Sequence, residues 1–427
     1  MRQTAEASGA DIYFSGVPRP VRLVGCEPLL VMLRDIFPTW PFRLDKCDPA
    51  STPVIAVLRV QGEYRIDAPW LDEPIFADTN VCAFSSLVVD LIYAWLEAAP
   101  EALCLHCAAS EFSGRLVVFP NTNKAGKSLL VARLMAENFT CYGDDLMALT
   151  PGGEGMSFGV PPRLRLPLPA SETKAADFVR AHGGQADAWS RYIASDAPFL
   201  APFGRTRPIG ALVMLMRKAE GTAELIPADS SDSLRNVVYQ NLMRNGSALE
   251  VLDRSQRLTA EKPCWHLRYA RLDDALAVLR RAFDETGEGY CCPGRAQEAS
   301  RASVAEKITP APDKPRTRPL RRRASDSKFV RRPGVLIRQG QGEYFLVQET
   351  GNEIFHLNAL GRAVWELLAE PLSEAEAVAL IASVFPETPQ AQIERDVVHL
   401  FMALKKSKLL LKAQHPGARP AHPCARH

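Results

Sequence analysis

The chain has 427 residues, of which 47% are hydrophobic and 23% charged, and its formal net charge is +2. This is the composition of an ordinary globular protein long enough for two or three domains. The basic excess lies mostly in Pro293–Arg332, with 12 Lys and Arg against 4 Asp and Glu. Wholesale nucleic-acid binding by a folded domain is therefore not expected.

The N-terminus and the longest apolar run predict a cytoplasmic protein. The first twenty residues contain no apolar stretch of the kind found in a signal peptide. The run VCAFSSLVVDLIYAWLEAA is interrupted by Asp90 and is short for a membrane span. The ten cysteines agree with this location, because most lie in apolar stretches, where a free thiol behaves as a small hydrophobic group.

Residues 1–100 predict an α+β part. Alternating apolar runs such as Val54–Leu58 indicate strands, and residues 81–99 indicate a helix with Leu87 and Leu91 on its apolar face. We expect this part to form an N-terminal extension of the domain that follows it.

Residues 101–290 predict an α/β domain. Two strands flank the turn Ser113-Gly114, a helix covers SLLVARLMAENF, and CYGDDLMAL predicts one further buried strand. Residues 150–205 are rich in Pro and Gly and predict long loops. After them, IGALVMLMRK and CWHLRYA indicate strands, and DSLRNVVYQNLMRNG and LDDALAVLRRAFDE indicate helices.

The segment Cys104–Cys107, CLHC, contains a CxxC pair that a redox site or a zinc site could use. A strand through this segment would place the two thiols on opposite faces, and no second Cys/His pair with metal-ligand spacing follows. Structural cysteines are therefore the favoured interpretation.

The stretch Val117–Leu134, VVFPNTNKAGKSLLVARL, has the parts of a phosphate-binding loop: a strand, a loop ending in Gly-Lys-Ser and an amphipathic helix. Lys127 would reach the β- and γ-phosphates and Ser128 would ligate Mg²⁺, while Gly126 allows close approach of the backbone. Asn121 replaces the first glycine of the motif, but asparagine tolerates a positive φ best after glycine. The predicted nucleotide-binding residues are Asn121, Thr122, Asn123, Lys124, Ala125, Gly126, Lys127 and Ser128.

Two carboxylates, those of Asp144 and Asp145, come after this loop in the sequence, about one strand–helix–strand unit further on. In a phosphoryl-transfer site, one of Asp144 and Asp145 would hold Mg²⁺ and the other would accept a proton from a substrate hydroxyl. The alternative is a structural turn, because Gly-Asp-Asp also suits turns.

His106, the phosphate loop with its helix, and the Asp-Asp pair together resemble the HPr kinase/phosphorylase family over about residues 10–285. The likeness is greatest to the HPr-kinase-related proteins found beside peptide-modification genes. It implies a P-loop kinase-like α/β domain that uses ATP and Mg²⁺. It also implies catalytic roles for Lys127, for Asp144 as the base and for His106 near the γ-phosphate, with Asp145 on the metal side.

Two arginines in PPRLRLP, Arg163 and Arg165, lie where this family has a signature segment, and they could contact phosphate or substrate. The segment does not match the HPr-kinase signature in detail. HPr as the substrate and reverse phosphorolysis are therefore not carried over.

Residues 291–327 predict a disordered, basic and proline-rich linker, and residues 412–427 a disordered tail. Between them, residues 328–411 predict three short strands, GVLIRQ, EYFLVQE and EIFHLN, followed by three helices. Asn358 is the expected N-cap of the first helix, Ser373 opens a capping box for the second, and Thr388-Pro389 begins the third.

His356-Leu357-Asn358, Trp365–Leu368 and the closing helix resemble the PqqD family over Phe329–Leu411. This family forms small winged-helix-like α+β units that bind leader segments of ribosomally made peptides. The resemblance implies strand addition at an edge formed by EYFLVQE and EIFHLN, with Gln392–Lys408 as a groove wall. The predicted peptide-binding residues are Ile354, Phe355, His356, Val397 and Phe401.

Together, the two units predict an ATP-dependent kinase that phosphorylates a Ser or Thr hydroxyl of a ribosomally synthesised precursor peptide docked on the PqqD-like domain. The alternative, motivated by Asn121, is a non-catalytic, nucleotide-gated chaperone that presents the peptide to another maturation enzyme. A nucleotide-responsive DNA-binding regulator is disfavoured, because no helix has a dense basic stripe.

Overall fold

The structure is a computed structural model that describes residues 9–120, 126–194, 199–242, 247–291, 325–348 and 353–413. The chain divides into two compact units, Met1–Gly246 with Glu250–Pro293, and Ser247–Leu249 with Gly294–His427. Most of the predicted linker 291–327 and of the predicted tail 412–427 lies outside the described residues.

The larger unit begins with a six-stranded sheet of order β3-β1-β2-β4-β5-β6, in which β2 and β4 are parallel and the other neighbours antiparallel. Its elements are β1 (Gly9–Phe14), β2 (Val21–Val24), α1 (Glu27–Ile36), β3 (Phe42–Lys46), β4 (Ile55–Val60), β5 (Glu63–Asp67), β6 (Ile75–Ala77) and α2 (Asn80–Ala98). Helix α1 was not predicted, because its apolar run is short and has a proline in its first turn.

Helix α2 is the helix predicted for residues 81–99. Thr79 caps it by accepting a hydrogen bond from the backbone N–H of Cys82 at 3.0 Å. By length and composition it could cross a membrane, but Leu87 and Leu91 are fully buried in the core of the unit. Since a core helix passes the same test, α2 is only weak evidence for a membrane span.

The second part of the larger unit contains a nine-stranded mixed sheet and a small three-stranded sheet. Its first elements are β7 (Leu103–Leu105), β8 (Ala108–Phe112), β9 (Arg115–Phe119), α3 (Lys127–Met135), β10 (Cys141–Gly143), β11 (Met147–Leu149), β12 (Glu154–Met156), β13 (Arg163–Arg165), α4 (Thr173–Ala181), β14 (Gly183–Ala186) and β15 (Ser190–Ile193). The rest are β16 (Thr206–Arg217), β17 (Glu224–Pro227), α5 (Ser230–Tyr239), α6 (Ala248–Glu261), β18 (Cys264–Tyr269), α7 (Leu272–Arg280), a π-helical turn (Arg281–Glu285) and a 3₁₀ turn (Glu288–Tyr290).

Three strands of this sheet, β9, β16 and β18, are parallel neighbours. Their carboxyl ends therefore lie at the same edge, which is where open α/β sheets commonly bind ligands. Helix α3 follows β9 at this edge, and its apolar side packs into a core with β9 and β16. The sheet thus places the first turn of α3 beside the ends of its parallel strands.

Several expectations for residues 101–290 are wrong in detail. CYGDDLMAL forms two strands, β10 and β11, because the chain leaves the sheet at Asp144 and Asp145. The segment predicted as long loops contains β12 to β15 and α4, and strands of three or four residues are too short for a period-two pattern to be visible. Helix α6 was also missed.

The smaller unit has the three predicted strands and the three predicted helices. Its elements are β19 (Lys328–Arg331), β20 (Val335–Gly340), β21 (Glu343–Gln348), β22 (Ile354–Leu357), α8 (Ala359–Leu367), β23 (Leu372–Ser373), α9 (Glu374–Val384), α10 (Gln390–Lys406) and β24 (Leu410–Lys412). Asn358 caps α8 and Ser373 forms the expected capping box of α9. Pro389 is the N-cap of α10 rather than its first residue. Strands β19, β23 and β24 form a second sheet that was not predicted.

Candidate functional site

The start of α3 requires glycine. Gly126, its N-cap, has a φ of 90°, in the left-handed region that glycine adopts most easily. A Cβ at this position would lie 3.3 Å from the hydroxyl of Tyr269, at the end of β18. The preceding predicted phosphate-loop residues, Asn121 to Ala125, lie outside the described residues.

Lys127 is a buried cation in the first turn of α3, with only 6% of its surface exposed. Its Nζ lies 3.5 Å from Nε2 of His106. Burial lowers the pKa of the Lys127 ammonium, and the nearby carboxylate of Asp145 opposes this effect. A helix N-terminus carries partial positive charge, so Lys127 and the helix dipole together favour an anion at this position.

Asp144 is a buried carboxyl that follows β10 and is 4% exposed. Its Oδ2 accepts a hydrogen bond from the backbone N–H of Arg163 at 3.2 Å, whereas Oδ1 has no hydrogen-bond partner among the residues described. Burial, and next the negative charge of Asp145, raise the pKa of Asp144 to about 8, although Ser128 and Arg163 oppose the rise by hydrogen bonding.

Asp145, in contrast to the buried Asp144, is accessible, and 48% of its side chain is exposed. Its Oδ1 lies 3.6 Å from Nε2 of His106. Burial pushes the pKa of Asp145 upwards, but hydrogen bonding and charge from His106, and then the charges of Arg163 and Lys127, outweigh it and leave the pKa below its ordinary value. Burial therefore favours the protonated form of Asp144, whereas the contacts of Asp145 favour its ionised form.

His106 connects Lys127 and Asp145. It follows β7, and its backbone N–H donates to the carbonyl of Gln240 at 2.7 Å, which fixes it at the edge of the sheet. The structure therefore brings His106, Lys127, Ser128, Asp144 and Asp145 close together from three separate segments.

These residues, apart from the buried Asp144, line a cleft of about 690 Å³. Arg163, which is half-buried, and Arg165, which is exposed, line it too, from the short strand β13. The apolar residues of the cleft were missed by the sequence analysis; among them are Val89, Leu146, Trp189 and Leu242. None of them stood in a pattern that the sequence analysis could have used.

The donor set of the cleft fits Mg²⁺ bound together with phosphate. No group of three or more His, Cys, Asp or Glu side chains in the described ranges could hold a metal ion alone. Asp145 supplies an ionised, accessible carboxylate and Ser128 a hydroxyl, and Mg²⁺ usually takes one or two carboxylates while phosphates and waters fill its other positions.

The CxxC thiols are buried structural groups. Cys104 and Cys107 are free, with no exposed surface, and burial raises the pKa of both, that of Cys107 to about 12. A thiol with such a pKa is a poor nucleophile or metal ligand at neutral pH. The strand predicted to run through Cys104–Cys107 is shorter in the structure, since β7 ends at Leu105.

Two predicted peptide-binding residues of the smaller unit are inaccessible. Val397 and Phe401 on α10 have no exposed surface and pack in the core with Trp365, so the apolar stripe read as a groove wall is the core face of the helix. This prediction is wrong for both residues. Ile354 and Phe355 on β22 are half-buried.

The sheet of β20, β21 and β22 has two edge strands, β20 and β22, so only EIFHLN of the predicted pair lies at an edge. β21 lies between β20 and β22, so EYFLVQE is central. Beyond β21, strand β22 has no other strand partner in the part of the chain that the structure describes. His356 on this strand pairs with the carboxylate of Glu343 on β21.

Residues 343–410 match the protein family described as Coenzyme PQQ synthesis protein D (PqqD). The C-terminal part of the chain therefore contains a PqqD-family domain, which confirms that half of the predicted resemblance. The match does not reach residues 10–285, where the resemblance to HPr kinases stays a prediction. A search of the curated proteins found no match to the chain.

Proposed function

We propose that this protein is a cytoplasmic, ATP-dependent kinase that phosphorylates a Ser or Thr hydroxyl of a ribosomally synthesised precursor peptide docked on its PqqD-family domain. The observation that supports this proposal best is the meeting of Lys127, His106 and Asp145, with contacts of 3.5 and 3.6 Å, beside the buried Asp144 at the N-terminus of α3. Such a set combines groups for anion binding and metal binding in one cleft with a buried carboxyl beside it that would accept a proton.

The N-terminus of α3 would bind the phosphates of ATP. The backbone N–H groups of the first turn and the ammonium of Lys127 supply positive charge, and Gly126 leaves room for close approach. Ser128 and Asp145 would hold Mg²⁺, which when bound neutralises charge on the phosphates. His106 lies within reach of both Lys127 and Asp145, and so keeps the cation and the carboxylate in fixed positions.

Asp144 would accept the proton of the acceptor hydroxyl. In the transfer, the hydroxyl oxygen forms a bond to the γ-phosphorus, the bond from that phosphorus to the β-phosphate oxygen breaks, and ADP leaves. Once ionised, a carboxyl with a pKa of about 8 is a stronger proton acceptor than an ordinary aspartate. In the structure Oδ1 is buried and has no hydrogen-bond partner among the residues described, so binding of the peptide would have to bring the acceptor hydroxyl to it.

The PqqD-family domain would hold the leader segment of the precursor, since PqqD-family domains bind precursor peptides. The edge strand β22 offers unpaired backbone groups to which an extended peptide can add as a further strand. Docking on the same chain raises the effective concentration of the acceptor at the phosphoryl-transfer site.

Transfer of label from [γ-³²P]ATP to the cognate precursor peptide tests the proposal. The wild-type protein should label the peptide, and Asp144→Asn should reduce the rate by about 10²–10⁴-fold. Asp177→Asn is a matched control, because Asp177 is exposed and pairs only with Arg180 in the structure described. Equal labelling by the wild-type and Asp144→Asn proteins would remove Asp144 from the role of base.

The chaperone remains the second candidate, favoured by Asn121 at the first glycine position of the loop. It predicts nucleotide binding and peptide binding with no label on the peptide. Asn121→Gly should raise nucleotide affinity if the asparagine is a tolerated strain, whereas a fall would mean that its side chain takes part in binding. Isothermal titration with ATP and Mg²⁺ measures the nucleotide affinity and so distinguishes these two roles of Asn121.

A further inference from the structure

The turn that carries Trp189 is held firmly although Trp189 itself is 75% exposed. Oδ1 of Asp187 accepts hydrogen bonds from the backbone N–H groups of Trp189 and Ser190, both at 2.8 Å, and Oδ2 accepts one from the hydroxyl of Thr79 at 2.8 Å. The backbone N–H of Leu166 donates to the carbonyl of Trp189 at 2.8 Å. An exposed aromatic side chain on a fixed backbone is typical of a binding surface.

Trp189 belongs to an apolar wall of the 690 Å³ cleft, formed with Val89, Leu146 and Leu242. Val89 on α2 is 37% exposed. Exposed apolar side chains that border a polar centre mark a site for a ligand with an apolar part.

Strand β13 connects this apolar wall to Asp144. The backbone N–H of Arg163, its first residue, donates to Oδ2 of Asp144, and Arg165, its last, is in register with Ser190 beside Trp189. The phosphates would bind at the first turn of α3, which lines the same cleft. Because the acceptor hydroxyl would lie at Asp144, to which β13 connects Trp189, we assign the apolar wall to the acceptor peptide rather than to the nucleoside of ATP.

The charges of the cleft restrict the same peptide. Lys127, Arg163 and Arg165 line it together with one ionised carboxylate, Asp145. Arg165 has no ion pair within the described ranges. Since Lys127 would be paired with the phosphates, a basic side chain next to the acceptor hydroxyl would meet the like charge of Arg163 and Arg165, whereas an apolar one would not.

We propose that Trp189 is a specificity-determining residue that selects a Ser or Thr flanked by a bulky apolar side chain and disfavours one flanked by Lys or Arg. This inference rests on the proposed kinase function, and it names the class of acceptor. Burying one large apolar side chain against the wall corresponds to roughly a ten- to hundredfold difference in kcat/KM.

A peptide library with one central Ser or Thr and each neighbouring position varied in turn tests the inference, with the full-length protein and [γ-³²P]ATP. The wild-type protein should label peptides with a neighbouring Leu, Ile, Met or Phe about ten- to hundredfold faster than those with Gly or Lys. Trp189→Ala should lose most of this preference while its KM for ATP stays within about twofold, and Trp189→Phe should keep it. Phe76→Ala is the control, since Phe76 is 58% exposed on β6 and does not line the cleft.

Each other outcome overturns the assignment. Labelling without an apolar preference, or a preference that survives in Trp189→Ala, removes Trp189 from specificity and leaves the kinase proposal intact. A raised KM for ATP in Trp189→Ala with unchanged peptide preference would place the nucleoside against Trp189 instead. Absence of label from every library peptide and from the cognate precursor would refute the kinase function and the inference together.

Discussion

Replacing Asp144 with asparagine should make the larger unit more stable than the wild type at neutral and alkaline pH. In the folded protein the pKa of Asp144 is about 8, against 3.8 for an ordinary aspartate. Between these values the folded state binds more protons at this position than the unfolded state. The stability that the neutral carboxyl provides is therefore complete below about pH 4 and is lost progressively as the pH rises to about 8.

The pKa difference sets an upper limit on this effect. A shift of about four units corresponds to roughly 5 kcal/mol at 1.36 kcal/mol per unit. Because water and the nearby Lys127 ammonium adjust around the ionised carboxylate, we expect about 2–4 kcal/mol at pH 9. Asparagine has nearly the same shape as the protonated acid but cannot ionise, so Asp144→Asn should escape this loss.

Urea titrations at pH 5, 7 and 9, read by mass-spectrometric hydrogen exchange of peptides from α3 and β16, report the unfolding of the larger unit alone. The stability advantage of Asp144→Asn should be small at pH 5 and grow through pH 7 to pH 9. Parallel pH curves for the two proteins would refute the reasoning, since they would mean that Asp144 is already ionised in the folded protein.

Asp145→Asn is the matched control, because the pKa of Asp145 is shifted in the opposite direction to that of Asp144. The folded pKa of Asp145 lies below its unfolded value, so its contribution is present above the unfolded pKa and is lost as the pH falls through the folded pKa. The variant should lose stability at neutral pH. It should also flatten the pH dependence, because the charge that raises the pKa of Asp144 is gone.

Three further results are expected. Gly126→Ala should weaken nucleotide binding at least about tenfold in isothermal titration. At this position the φ of 90° strains alanine, and the Cβ would crowd Tyr269. Gly62→Ala is the control for backbone strain alone, because Gly62 has a φ of 92° and open space around it. The kcat/KM for peptide labelling should rise with pH and level off near pH 8, since Asp144 must be ionised to accept a proton, and a flat profile from pH 6 to 9 would contradict that role. Lys405→Met should destabilise the smaller unit by about 2–3 kcal/mol in urea-dependent hydrogen exchange, because it leaves the fully buried carboxylate of Glu374 without its ammonium partner at 2.7 Å. The control Lys328→Met breaks an exposed ion pair and should cost less than about 1 kcal/mol.

The sequence alone predicted most of the polar residues of this candidate site, because they lie in short segments with local chemical meaning. Gly126-Lys127-Ser128 stands between a strand and a helix, and the distance to Asp144-Asp145 is about one strand–helix–strand unit. His106 was found only through the resemblance to HPr kinases, since a single histidine after a strand has no pattern of its own. The apolar wall had almost no sequence pattern, because Val89, Leu146, Trp189 and Leu242 come from four distant segments.

Local sequence also determined the regular elements with strong periodicity and the helix starts at Asn358 and Ser373, since a cap and its partner are three residues apart. Only the tertiary structure decided which face of α10 enters the core and which strands of the smaller unit lie at sheet edges. It also decided that the surroundings of Asp144 favour its protonated form while those of Asp145 favour the ionised form. Two adjacent aspartates are identical in the sequence, and their difference comes from burial and from contacts with His106 and Arg163, which long-range packing alone creates.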